Sequence, residues 1–559
     1  MATYRSTKAI KEAQAEVERL VASLSGDRME QMLVDESPRD SIYLIVSSKR
    51  NLTKKYGRRG FDGLNAEIHA LKQTVNSQTS MEALVVYVDD AASLRLYGVG
   101  TADPADPAQI KMLIDALDEQ MNSVGKQINY LLIVGGDTVI PFYRLPNPLD
   151  DQDQVVLSDN PYGTRGDANY LIPDRAVGRM PDGGQESTAF LINMIHNAVS
   201  AHESAIGDKG VLTALFDALR PSGRPGQNGQ SFGYSASIWR KASRVVFQAV
   251  GQSRDLRISP PLTYQEFAVS APLYFSYYNL HGVEDGPNWY GQRDSLFPAN
   301  YPLFPVALRP DDLVETDHAN TVVFTEACYG ANIQAKTPDD SIALRFLASN
   351  ALAVVGSTKI AYGAIDTPLT SADLVGKYFL EALQSCLTVG ESLKVAKMHL
   401  VQEMRDRQGY LDGEDQKTLI SFVLYGDPSL PASTRQCRLR AASSSKAFCP
   451  PLLCQNASRQ QKSPVSDTLI SAVTRQVEHS LPHMAHARIH VDPLTVCTGR
   501  GDHRCSDDQR AAKSPSAAAP SWALTLKKDI PANGGDPHHQ IVKVTVDREG
   551  HILKMAMSK

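Results

Sequence analysis

Thr321-Val322-Val323-Phe324-Thr325-Glu326-Ala327-Cys328-Tyr329-Gly330 is a short apolar and β-branched run that stops at a cysteine beside small residues. It reads as a buried strand. Upstream, Leu273-Tyr274-Phe275-Ser276-Tyr277-Tyr278-Asn279-Leu280-His281-Gly282 has the same character and ends in a histidine and a glycine. Two strands of one sheet would deliver the Cys328 thiol and the His281 imidazole to the same edge.

Outward from these strands the chain alternates strand and helix. Ser41–Ser47, 83–88 and 128–134 read as continuous Val/Ile/Leu strands, with helices at 65–75 and 109–121 between them. After a helix at 186–204, a second round begins with a strand at 211–216 and a helix at about 234–251. It continues past Cys328 with a helix at 341–350, a strand at 351–356, helices at 372–386 and 390–405, and a last strand at 419–424. Apolar strands separated by helices predict an α/β, three-layer αβα architecture with a mostly parallel sheet covered on both faces. The irregular Pro/Asp/Gly stretch before 183 predicts two consecutive subdomains, 38–183 and 184–435, preceded by an N-terminal segment, 1–37, with a helix at 5–24. Residues 436–559 are linker-rich, with a small appended domain: a helix over 466–481 capped by Ser466 or Asp467, and a β-hairpin from 541–546 and 551–557 around Asp547-Arg548-Glu549-Gly550.

A net charge of −5 with 21% charged residues gives no reason to expect a nucleic-acid or membrane partner. No apolar run reaches the length of a membrane span and the first residues lack a signal-peptide pattern, so a cytoplasmic location is expected. Seven cysteines leave at least one unpaired, with Cys328 the candidate. Cys449, Cys454, Cys497, His503 and Cys505 lack the paired spacing of a structural zinc site, so no metal and no cofactor are expected. Gly135-Gly136-Asp137 lacks the glycine pattern of a phosphate loop and has Pro141 where a helix would begin; it reads as a tight turn.

A cysteine attacks as thiolate and needs a neighbour to make that form. A helix beginning just after Cys328 would help through its N-terminal partial charge. Gly330 and Ala331 leave room for a substrate backbone, and the backbone amides of Gly282 and Cys328 are candidate oxyanion donors. Asp217, closing the 211–216 strand, is a candidate for orienting His281, and reads equally well as a solvated strand-end carboxylate.

The ordered set Leu132-Ile133-Val134-Gly135-Gly136-Asp137-Thr138-Val139-Ile140-Pro141, Ser158-Asp159-Asn160-Pro161-Tyr162-Gly163, Val177-Gly178-Arg179-Met180-Pro181, Asn279-Leu280-His281-Gly282, Glu326-Ala327-Cys328-Tyr329-Gly330, Val354-Val355-Gly356-Ser357-Thr358 and Leu424-Tyr425-Gly426-Asp427-Pro428-Ser429-Leu430 resembles the gingipain-like cysteine peptidases of the caspase clan across about residues 38–431. The resemblance implies a caspase-like fold with the site in the second subdomain, and a cysteine endopeptidase working through a His281–Cys328 dyad and a thioester. It implies a protein or peptide substrate. By the same resemblance Glu326, two residues before the cysteine, lines the primary pocket and favours Arg or Lys at P1; the backbone of Ser357, Thr358 and Lys359 pairs with the substrate; and Tyr362 covers the pocket. The chain departs from the family in the 227–234 loop, which has no acidic residue and has Arg220 and Arg224 nearby; Asn or Asp at P1 remain alternatives. A catalytically inactive protein-binding scaffold and a transpeptidase using the same thiol are the rival functions. A regulatory partner is expected to act through the termini.

Overall fold

The computed structural model describes residues 41–78, 81–166, 170–207, 231–267, 273–298, 300–432, 452–455, 465–497, 522–532, 535–547 and 549–559. Strand β1 (Ser41–Ser47) buries every one of its seven residues, as an unbroken apolar strand must when both sheet faces are covered. Around it a ten-stranded sheet assembles from β2 (Glu82–Tyr87), β3 (Gln127–Val134), β4 (Ala176–Met180), β5 (Ser231–Ala236), β6 (Arg257–Ser259), β7 (Phe275–Asn279), β8 (Val322–Thr325), β9 (Ala353–Ser357) and β11 (Phe422–Gly426); β10 (Tyr362–Gly363) lies outside it. The spatial order is β2-β1-β3-β4-β11-β9-β8-β7-β5-β6. Every pairing is parallel except β9 with β11.

The helices that connect these strands include α1 (Lys49–Gln78), α2 (Pro107–Ser123), α3 (Ala189–Gly207), α4 (Arg240–Phe247), α5 (Ile342–Ala348), α6 (Ser371–Gln384), α7 (Val389–Gln408) and α8 (Gly413–Ser421). Their boundaries follow local chemistry. Asp106 caps α2 by accepting from two first-turn amides, with Pro107 opening the helix. Thr388 and Glu391 form a capping box on α7, which ends at Gly409 in the left-handed region, φ 81°.

The two expected subdomains are halves of one sheet. They meet where β4 lies beside β11, and Arg179 pins the junction. Its guanidinium donates to both Asp159 carboxylate oxygens at 2.6 and 2.8 Å and to the carbonyls of Gly135 and Ile140. Gly135 takes φ 119° in the tight turn expected there.

Several boundaries move, the expected 65–75 helix running over Lys49–Gln78. The expected 234–251 helix is in fact β5 followed by α4. Ser231-Phe232-Gly233-Tyr234-Ser235-Ala236 lacks a β-branched signal, yet β6 and β7 flank it and Phe232 packs edge-on against Tyr264 and Phe267. Tertiary pairing decides its state. The last strand of the sheet begins at Phe422 because α8, capped by Asp412, occupies the preceding residues. The 5–24 helix, the 211–216 strand with Asp217, and Arg220 and Arg224 lie outside the described residues.

The appended region is built as expected and then extended. Ser466 caps α9 (Asp467–Ser480), accepting from the Leu469 amide at 3.2 Å. β14 (Gly535–Val546) and β15 (Ile552–Ser558) form the hairpin, Val542 opposite Met557. With β12 (Arg488–Cys497) and β13 (Trp522–Ala532) they make an antiparallel sheet that β10 (Tyr362–Gly363), a short segment of the main domain, joins through β15.

Candidate active site

Parallel β7 and β8 are adjacent, with Phe275 opposite Val322 and Tyr278 opposite Thr325. The chain leaves both at the same end, which brings His281 and Cys328 to one cavity of about 280 Å³, lined also by Gly282, Phe304, Tyr329 and Ile360. Ligands of parallel sheets bind at this end of the strands. Gly282 presses against the cysteine backbone: a Cβ there would stand 1.9 Å from the Cys328 carbonyl oxygen. Among the described residues the amides of Gly282 and Cys328 donate to no protein acceptor, which leaves both available to a developing oxyanion.

His281 is held from several sides. Its backbone exchanges two 2.8 Å hydrogen bonds with Tyr290, and its Nε2 lies 2.7 Å from the side-chain oxygen of buried Gln292. Trp239 packs at 4.4 Å between ring centroids and Phe304 stands edge-on at 5.1 Å. Burial, then the neighbouring His538, holds the imidazole pKa well below its usual value despite the Gln292 contact. Trp289, the other aromatic of this loop, packs on Tyr278 and Phe346.

Cys328 is the free cysteine among the described residues; Cys386 is disulfide-bonded. The Cys328 thiol lies 3.5 Å from the Ala361 carbonyl and accepts from the Ala361 amide at 3.3 Å. Burial pushes its pKa up to about 12. No helix follows it. Residues 328–330 are a turn, with Tyr329 at φ 55°, so the expected help from a helix N-terminus is absent. The Tyr329 hydroxyl donates to Asp153 at 2.9 Å. Burial thus disfavours the charged form of both candidate reacting groups.

Glu326 is fully buried, and it does not line that cavity. Its Oε1 accepts from the Tyr277 hydroxyl at 2.6 Å, and its Oε2 forms a 3.0 Å ion pair with Lys559. Burial and adjacent Asp373 raise its pKa to about 8, with Lys559 opposing them.

The expected substrate-pairing stretch is engaged inside the protein. The Ser357 carbonyl accepts from the Ala331 amide, the Lys359 carbonyl from the Tyr329 amide, and Thr358 donates its hydroxyl to Leu157. Lys359 instead pairs with Glu284 at 2.8 Å. Strand pairing occurs further on, at Tyr362 and Gly363. Tyr362 turns inward, fully buried, its hydroxyl donating to Asp151 at 2.8 Å. Gln292, Asp373, Trp239 and Gly363 were not marked by sequence pattern. Each lies far from Cys328 in the chain, and only the fold brings them in.

A protein-family comparison matches the model of peptidase family C25 over residues 37–212 and 307–433, more than half of the chain. The chain belongs to peptidase family C25. It is a gingipain-like cysteine endopeptidase with a caspase-like fold. Among solved structures this C25 peptidase is similar to gingipain R, an Arg-specific cysteine proteinase, at 13% identity and TM-score 0.46, covering 94% of this chain and 93% of that one. It is also similar to a structure described as a protease, at 11% identity, TM-score 0.46, covering 94% of this chain and 92% of that one. A Saccharomyces cerevisiae separase–securin complex matches at 10% identity and TM-score 0.29, covering 56% of this chain and 16% of that one. No curated protein matches.

Proposed function

We propose that this C25 peptidase cleaves peptide bonds through Cys328 and His281, with a basic residue at P1. The reading rests on one observation: the two parallel strands β7 and β8 carry His281 and Cys328 into one cavity, with two unengaged backbone amides beside them. The Cys328 thiol, once its proton passes to His281, attacks the substrate carbonyl carbon. The Gly282 and Cys328 amides receive the oxyanion. As the tetrahedral intermediate collapses, the C–N bond breaks and the His281 imidazolium protonates the leaving amine. Water, deprotonated by His281, then hydrolyses the thioester and restores the thiol.

Glu326 supports the preference for Arg or Lys. A buried carboxylate carries a desolvation cost that a substrate cation offsets through a charge-assisted contact. The test is a P1 profile on a peptide library with Cys328→Ala beside it. Cleavage after basic residues that vanishes in the variant is expected; cleavage that persists in the variant overturns the assignment.

A further inference from the structure

Lys559 reaches the innermost part of this site. Its backbone amide donates to the Ala361 carbonyl at 3.0 Å, beside the Cys328 thiol. The strand it closes, β15, runs antiparallel along β10, with Ser558 opposite Tyr362 and Met557 opposite Gly363. This is the way an extended peptide adds to a sheet edge. The Lys559 side chain then enters a socket shaped for it. Its ammonium lies 2.8 Å from Asp373 and 3.0 Å from Glu326, and 4.5 Å from the Trp239 ring centroid. Gly363 makes room for the stem: a Cβ there would stand 2.1 Å from the Lys559 Cε.

A second socket holds the same strand five residues earlier. Lys554, nearly fully buried, donates to Asp412 at 2.6 Å and to Asp415 at 3.1 and 3.2 Å. The flanking sheet covers the histidine side. His538 stacks on Phe304 at 4.2 Å and stands edge-on to Tyr290, while Gln292 meets His483 and Gln540. Both acid clusters are inside the main domain, and buried carboxylates without cations are costly.

We propose that β15 is a built-in, substrate-mimicking inhibitor: it occupies the peptide-binding edge of the peptidase with Lys559 in the P1 position and Lys554 as its second anchor. The inference rests on the reading of Cys328 as nucleophile. It also explains the burial of that thiol and of His281, which the covering strand and sheet keep from water. Because the inhibitor is tethered, its high effective concentration keeps the cleft filled with modest intrinsic affinity. An activating event must therefore displace β15 rather than assemble a site. Asp373 becomes, with Glu326, the pair that reads a P1 lysine.

The experiment uses the 559-residue chain and three substitutions, Lys559→Ala, Lys559→Gln and Lys554→Ala. Two rates are read: alkylation of Cys328 by iodoacetamide, followed by intact mass, and hydrolysis of a fluorogenic amide of Met-Ala-Met-Ser-Lys, the sequence of 555–559. Alkylation at least about tenfold faster in either Lys559 variant is expected, with a smaller rise in Lys554→Ala. A synthetic peptide of 552–559 should slow the Lys559 variants again; this arm is independent of any loss of folding, since an unfolded chain would not respond. Equal alkylation and equal, Cys328-dependent hydrolysis in all four chains would overturn the inhibitor and leave the peptidase reading standing. Faster, peptide-suppressible alkylation with no hydrolysis by any chain would uphold the inhibitor and overturn the peptidase reading.

Discussion

Two sets of buried charges in the main domain are satisfied differently. In the first half, Arg179 is matched by Asp159 and by carbonyls of the turn that follows β3, and Arg175 by Asp115 and Asp118. Every partner belongs to the same half-sheet. In the second half, Glu326 and Asp373 are matched by Lys559, and Asp412 and Asp415 by Lys554. Those partners come from an appended sheet. Charges closed within one layer make a scaffold. Charges closed by an appended strand are the ones that displacement of the proposed inhibitor would uncover.

The comparison can be broken in order of effect. Cys328→Ala should lower kcat/KM by at least about a thousandfold while leaving the melting temperature nearly unchanged, because the partners of the thiol are backbone groups, those of Ala361 and Lys559. Arg179→Ala should do the reverse. Removing one member of a buried pair costs about 3–5 kcal/mol, read in urea unfolding, with activity per folded molecule retained. Gly282→Ala should cost roughly a hundredfold in kcat, measured with saturating substrate, since a Cβ meets the Cys328 carbonyl and shifts one oxyanion donor. Gln292→Ala frees the His281 ring and should cost on the order of tenfold, with a changed pH profile of kcat/KM that separates positioning from packing.

The smallest effect is acid loosening of the appended sheet. Burial lowers His538 and His483 to about 4, with His539 acting on the first and Lys528 and Arg293 on the second, against the Gln540 contact to His483. The unfolded chain, with histidine pKa values of about 6.5, binds more protons between pH 4 and 6.5. Stability therefore rises with pH through that window and is lost as pH falls through it. Amide exchange in β14 should quicken from pH 7 to pH 5 after correction for intrinsic rates; unchanged protection would show that these histidines do not hold the sheet.

Much of this was legible in residues. The unbroken strands β1, β3 and β8 and the amphipathic 109–121 helix announced themselves through period, and the start of α9 through its two capping candidates, Ser466 and Asp467, of which the structure uses Ser466. The Cys328 and His281 strand ends stood out because each polar residue closes an apolar run. What escaped has a physical cause. β5 has no β-branched residue and is a strand by virtue of its neighbours. The pairing of the appended sheet with the main domain falls at Tyr362 and Gly363, where no strand was expected, while the carbonyls of 357 and 359 close the cysteine turn. Lys559 and Asp373 are separated by 186 positions, and no local pattern joins a buried acid to a distant lysine.

The central claim is that Cys328 is the nucleophile at the mouth of a lysine socket. Its most direct test is the intact mass of the Lys559→Ala chain after exposure to a peptidyl-lysine chloromethyl ketone. The account predicts a single adduct mapped to Cys328, formed at least about tenfold faster than with the matching peptidyl-alanine reagent. An adduct on another residue, or equal rates with the two reagents, would contradict it.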